Sequence, residues 1–461
     1  MSAKLTRVKK LISFFKKNIF CLLILFLAAI LRFNNYYYFP VGGETADEVA
    51  WAMIGSSLIQ EGKPSSWSYF GAYEKYGMIE EKENYRLVSP ALDHPPLFAL
   101  IPGFFHSLKY QWSQQPSIKL IRFPLVIIGT LNVALFYFLA KKIFDKKIFI
   151  NLATLIYATV PTFVFASRLV MAENLLATFV ILTLYFLADS KITKKISVIL
   201  ILLSIFSILT KVAGFIVPIS IITTGLIAKD QKITKSGFLG LILGSISFAV
   251  YGAIYNWRLF VEIFTSQAGR ELGLATLQNR FFLHPAVVDK LFFDGWLIVS
   301  LLAMISFFLI TKNLRKYLAI KVFLIINLLF ILASAGEQTF HGWYDITLYP
   351  IFSLVIAWLF NEIIAKKQYL LFFLVWLFLL PAIRLGLDYS GLYVGLSSLT
   401  LRLIMILGGI PMVLNLFKQS KPFAKKSLIL LLSLLFIANI FAIFNLTQER
   451  YWELDYYFNY R

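Results

Sequence analysis

Several side chains in the first half of the sequence have the types needed to run a transfer reaction. They are the carboxylates Asp47, Glu48, Asp93 and Glu173, the imidazole of His94, and the cations Arg122, Arg168 and Lys211. A carboxylate within hydrogen-bond reach of a hydroxyl can take its proton, and Lys or Arg can hold a phosphate that leaves as a stable anion. No amino-acid nucleophile is then required. Asp47, Glu48, Asp93 and His94 are also hard or borderline metal ligands carried by one polar stretch, so a divalent cation is compatible with the set. From the residues alone the commoner reading of Asp47 and Glu48, in "GGETADEVAW" at residues 42–51, is a pair of solvated loop acids, with Glu48 capping the following helix. His94 ends an extended segment before two prolines, and Arg122 snorkels at the end of an apolar run.

The elements that must position these groups are almost all hydrocarbon. The 461 residues are 59% hydrophobic and 15% charged, with 45 phenylalanines, and mean hydropathy is +0.76. Such values exclude a soluble domain of this length and define an all-α polytopic membrane protein. The net charge of +20 does not point to nucleic acid, because the lysines recur in clusters between apolar runs. Lys141, Lys142, Lys146 and Lys147 form one, Lys191, Lys194 and Lys195 another, then Lys229, Lys232 and Lys235, and later Lys418, Lys421, Lys425 and Lys426. They fall at alternate loops, as the positive-inside rule expects, and their partners are anionic membrane lipids. The lone Cys21 forms no intramolecular disulfide.

At about 20 residues per crossing the chain holds about 13 transmembrane helices. They lie near residues 18–32, 118–140, 148–166, 171–188, 195–210, 212–228, 237–255, 292–310, 320–335, 344–364, 369–385, 396–417 and 427–446. With the amino terminus cytoplasmic, the lysine clusters fall inside and the tail "TQERYWELDYYFNYR" outside. The acids and cations named above then gather at turns on the extracytoplasmic face. Two outer loops, 33–117 and 256–291, are too long for connectors. The first ends in "LDHPPLFALIPGFFHSLKYQW", read as an interfacial helix, and the second contains "TSQAGRELGLATLQNRFFLHP", read as another. In these loops Arg258, Arg270 and Arg280 face headgroups, His106 and His284 are interfacial, and Glu44 is a solvated acid. "GLILG" at 240–244 has the spacing for close helix packing. No internal repeat and no matching pair of broken helices is seen, which weakens the alternative of a transporter or flippase of a lipid-linked sugar.

Five patterns in order, "ADEVAWAMIGSSLIQEGK", "DHPPLFAL", "IRFPLVIIGTLNVALFYFLAKKIF", "PTFVFASRLVMAENLLATF" and "LTKVAGFIVP", resemble the membrane module of the C-type glycosyltransferases. The pattern is similar to the protein O-mannosyltransferases and the lipid A aminoarabinose transferases, which use polyprenyl-phosphate sugars. The resemblance covers about the first half of the chain. It implies that residues 1–255 are the conserved-type module, with the catalytic acids in loop 33–117, and that 256–461 is a variable half shaping donor and acceptor specificity. It implies Asp47 as the catalytic acid that deprotonates or orients the acceptor, with Glu48 beside it. Arg168 and Glu173 match the Arg and acid of the second outer turn, and Lys211 matches the Lys expected at the donor phosphate. Asp93 matches a position able to hold a metal, and His94 stands where many members carry Lys, giving it a phosphate or metal role. Arg122 is a further donor-phosphate candidate, and His341 a late one. The expected activity is transfer of a sugar from a polyprenyl-phosphate donor to a glycan, lipid or protein acceptor.

Overall fold

The apolar runs fold as helices, and the polar stretch after the first of them does not remain a loop. The computed structural model describes residues 19–41, 47–81, 86–189, 191–268, 292–311, 314–334, 342–387 and 398–446. Helix α1 (Ile19–Phe33) leads into α2 (Asp47–Glu61), whose first turn carries Asp47 and Glu48 where the positive end of the helix dipole favours acids. Then come β1 (Ser66–Trp67), the short α3 (Ala72–Tyr76), β2 (Met78–Glu81) and β3 (Arg86–Ser89). The strands form an antiparallel sheet of order β1-β3-β2, with Trp67 opposite Leu87 and Glu80 also opposite Leu87 on the other side. Helix α4 (Pro96–Ser107) begins with Pro at its first position, where a missing N–H costs nothing.

Helices α2 and α4 cross at glycines. A methyl group at Gly55 would lie 1.8 Å from the Ala99 carbonyl oxygen, and one at Gly103 would lie 2.3 Å from the Gly55 carbonyl carbon. This contact fixes the start of α2, with Asp47, against the segment entering α4, with Asp93 and His94. Gly103→Val is therefore expected to lower the melting temperature in detergent, by the equivalent of about 1–3 kcal/mol, and to impair activity. Gly71→Ala, where nothing lies within 4 Å of the added methyl, is the control expected to change neither.

The succeeding helices are α5 (Ile118–Ile143), α6 (Lys147–Thr159), α7 (Pro161–Ala166), α8 (Glu173–Leu187), α9 (Lys194–Thr210), α10 (Ile216–Ile227), α11 (Gln231–Tyr255) and α12 (Trp257–Ala268). Thr193 caps α9 and Asp230 caps α11 with side-chain oxygens. Gly240 and Gly244 of "GLILG" meet Ser204 and Ile208 of α9, so that pattern does serve close packing. Further helices lie at Trp296–Ile310, Leu314–Ser334, Tyr349–Lys366, Tyr369–Phe378, Leu380–Leu387, Ser398–Leu407, Ile410–Leu416 and Lys421–Asn445. Each expected span coincides with a helix or a broken pair of helices. By length and apolarity, four described helices suffice to cross a membrane, or six if each pair bent by 50° or 42° counts as one span. The chain is thus multi-pass, while the count of thirteen crossings does not follow from helix length.

The break between α6 and α7 shows how buried backbone is satisfied where a span is interrupted. Pro161 has no N–H for the Tyr157 carbonyl, and the Thr162 N–H is taken by Asp294 at 3.0 Å. Arg32, almost wholly buried, donates instead to the carbonyls of Tyr157 and Ala158, both at 3.1 Å. A second break, between α9 and α10, leaves Lys211 extended ahead of a 3-10 turn, Val212–Phe215. Ser207 of α9 donates its hydroxyl to the Gly214 carbonyl at 2.9 Å, and a side chain at Gly214 would meet the Ser207 carbonyl oxygen at 1.8 Å. Only glycine lets the turn fold back this closely, and the turn holds Lys211 at the end of α9.

Candidate active site

Four of the sequence-identified groups, Asp47, Asp93, His94 and Lys211, line one cavity of about 350 Å³. Its wall includes Ala50 and Ile54 of α2, Trp67 of β1 and the following residues to Phe70, Phe264 and Gln267 of α12, and Tyr344. Asp47 interacts electrostatically with both Asp93 and Lys211, so carboxylates and cation share one cavity. The Lys211 ammonium lies 2.6 Å from Glu173, which is fully buried at the start of α8, and 5.5 Å from the centre of the Tyr344 ring. Glu173 does not line the cavity. It anchors Lys211 from behind.

Asp93 is held from two sides. The Tyr73 hydroxyl donates to it while accepting from the Leu92 N–H at 2.9 Å, and Ser68 supplies another hydrogen bond. Burial pushes the Asp93 carboxyl up to about 6; the two hydrogen bonds oppose that rise and the charge of Asp47 adds to it. Tyr73 is itself fully buried, and its hydroxyl is driven well above the usual phenol range by burial and the adjacent carboxylate. Tyr73→Phe removes a donor that favours the ionised form, so Asp93 is expected to titrate above about 6. That shift is read as the carboxyl band of the purified variant in infrared spectra titrated over about pH 5 to 8, against the wild type.

Three other candidates stand elsewhere. Glu48 is fully buried, with its two oxygens on Arg122 at 2.8 and 2.6 Å and a further bond from the Val170 N–H at 2.9 Å. Arg122, also fully buried, donates in addition to the carbonyls of Tyr36, Pro40 and Val41. Arg168 donates to the carbonyls of Leu31 at 2.6 Å and Phe39 at 2.8 Å, the first belonging to the last turn of α1. None of the three lines the cavity. The expectation of Glu48 as a catalytic partner and of Arg122 and Arg168 as phosphate ligands gives way to another geometry: they tie the end of α1 and residues 34–41 to the body of the protein. Asp47 begins the helix that these residues aim.

His94 lies over the Trp51 indole, with ring centres 4.2 Å apart and nearly parallel. Among the described residues no three metal-ligating side chains converge, and Asp93 is already committed to Tyr73 and Ser68. His106 is fully buried and bonded to the Gln111 carbonyl at 3.0 Å, a packed histidine rather than an interfacial one. Glu44, Arg270, Arg280, His284, His341, most of the second interfacial segment and the carboxyl-terminal tail lie outside the described residues. Tyr73 and Ser68 were not legible as site residues, since neither type nor spacing distinguishes them from other loop residues.

Residues 93–257 match the family described as dolichyl-phosphate-mannose-protein mannosyltransferase. The fold is similar to that of ArnT from Cupriavidus metallidurans bound to undecaprenyl phosphate, with a TM-score of 0.58 and 14% identity over 94% of this chain and 78% of that one. The oligosaccharyltransferase AglB from Archaeoglobus fulgidus, in complex with an inhibitory peptide and a dolichol-phosphate, gives a TM-score of 0.48 at 13% identity, over 90% of this chain and 56% of that one. No curated protein sequence matches. Over residues 93–257 the chain is thus similar to that mannosyltransferase family, and over nearly its whole length it has the fold of a multi-pass membrane protein such as ArnT.

Proposed function

We propose that the protein transfers a sugar from a polyprenyl-phosphate donor to an acceptor hydroxyl at the extracytoplasmic face of the cell membrane. The observation that carries this reading is the sharing of one cavity by Asp47 and Lys211. Asp47 takes the acceptor proton as the acceptor oxygen bonds to the anomeric carbon, and the bond from that carbon to the phosphate oxygen breaks on the opposite side. The anomeric configuration inverts. The polyprenyl phosphate leaves as an anion beside Lys211, whose charge and position are kept by Glu173. The mannosyltransferase match and the lipid phosphate bound to ArnT support this choice of donor. Residues 1–255 hold the reacting groups, and 256–461 contributes to specificity through Phe264, Gln267, Phe330 and Tyr344 on the cavity wall.

The orientation is supported by the ends of the helices. Helix α5 starts beside the Arg122–Glu48 pair and ends in Lys141 and Lys142, while α9 starts at Lys194 and Lys195 and ends at Lys211. A helix of 26 residues, such as α5, is about 39 Å long at 1.5 Å per residue. Lys211 thus stands at the opposite end of α9 from Lys194 and Lys195, and the positive-inside rule supports an outward-facing site.

Lys211→Ala is expected to lower turnover by about 10²–10³-fold, as loss of one preorganised donor at a developing anion does, and to leave Glu173 buried without its partner. Lys211→Arg should recover part of the activity and the melting temperature of the wild type. Alanine activity equal to wild type, in a donor-dependent assay with purified protein, would remove Lys211 from the phosphate site.

A further inference from the structure

The stretch "SWSYF" at residues 66–70 is built like a scaffolded ligand surface. Its backbone is pinned on several sides. The Ser66 hydroxyl donates to the Ala50 carbonyl at 3.1 Å, Ser68 bonds to Asp93, and Arg86 donates to the Phe70 carbonyl at 3.1 Å. Pairing of Ser66 and Trp67 with β3 adds the sheet. On this rigid frame three aromatic rings face the cavity: Trp67, half-buried Phe70, and Tyr69, which is 66% exposed. The Tyr69 and Phe70 rings stack at 4.7 Å and 25°, and the Trp67 and Tyr69 rings lie 6.3 Å apart at 33°. Three aromatic rings gathered on one stretch beside a cavity form a contiguous apolar patch of the kind that marks a ligand-binding surface.

We propose that Trp67, Tyr69 and Phe70 form a stacking platform for a pyranose ring of the acceptor, so that the acceptor is a glycan. This rests on the transferase reading above and adds the chemical class of its acceptor. A pyranose presents one face of C–H bonds, which suits the negative face of an aromatic ring, and a rim of hydroxyls, which needs polar partners. The rings supply the apolar face, and Asp47, Asp93 and Gln267 in the same cavity supply polar partners for the hydroxyls, with buried Ser68 joining the platform to Asp93. The platform therefore stands on the carboxylate side of the cavity, where the acceptor hydroxyl must lose its proton. The phosphate of the donor belongs on the side of Lys211 and Tyr344.

The test uses the full-length protein in nanodiscs and a panel of methyl pyranosides as minimal acceptors, read by saturation-transfer difference NMR. Saturation of the aromatic protons should reach ring C–H protons of at least one pyranoside. The double variant Trp67→Ala/Tyr69→Ala should weaken that pyranoside's binding by about tenfold or more, taking each ring contact as a fraction of the free energy of one decade. Tyr69→Phe keeps the ring and should leave it unchanged. No transfer to any pyranoside, or equal affinity in the double variant with its melting temperature intact, would overturn the platform. Failure of the transferase reading looks different: the donor would remain uncleaved by the wild type whatever these variants bind.

Discussion

Asp47→Asn is expected to lower turnover by about 10²–10⁴-fold, the usual contribution of a positioned base, without lowering the amount or melting temperature of the purified protein. The amide has nearly the volume of the carboxylate, so the cavity keeps its shape. What is lost is the ability to accept a proton. The specificity of the effect rests on the contrast between neighbours in sequence. Asp47 faces the cavity with Asp93 and Lys211, while Glu48 is turned into the protein and saturated by Arg122 and the Val170 N–H. A rate loss confined to Asp47, measured with donor and acceptor both saturating, separates a chemical role from a binding one. Undiminished turnover in Asp47→Asn would remove the base from the proposed mechanism.

Glu48→Ala is expected to fail earlier, in folding. It leaves the Arg122 guanidinium, fully buried, without its counter-charge, and breaking a buried pair in this way costs about 3–5 kcal/mol. The Val170 N–H loses its acceptor as well. Fluorescence-detected size exclusion should show little monodisperse protein, or a melting temperature well below wild type. The double variant Glu48→Met/Arg122→Met removes both charges and should recover part of the loss, because a buried ion pair can be replaced by apolar groups at small cost. Recovery should be incomplete, since Arg122 also serves the carbonyls of Tyr36, Pro40 and Val41. A Glu48→Ala protein as stable as wild type would contradict the anchoring role.

The helices were legible in the sequence because an apolar run of membrane length has few other ways to satisfy its backbone. Every expected span fell on a helix or a broken pair for that reason, and the break at "LTKVAG" was visible in its Lys and Gly. The small sheet was not legible. Strands of two to four residues such as "SW" and "RLVS" carry no usable periodicity, and their pairing depends on the register of distant segments. The site divided along similar lines. Asp47 and Lys211 were singled out by the order of the five motifs and the resemblance they carry, since from type alone Asp47 reads as a solvated loop acid. The roles of Glu48, Arg122 and Arg168 could not be assigned from type. A buried arginine that caps carbonyls and one that clamps a phosphate look alike until the partner is known, and the Glu48–Arg122 partner is 74 positions away. Arg32 illustrates the same point: its function is set by Pro161, far along the chain.

The most direct test of the account is reconstitution of the purified protein in liposomes holding a polyprenyl-phosphate sugar labelled in the sugar, with an extracted cell-surface glycan added outside. Free polyprenyl phosphate and labelled glycan are expected to appear in equal amounts, with the anomeric configuration inverted. Intact donor moving between leaflets without cleavage, or donor left unconsumed, would contradict it.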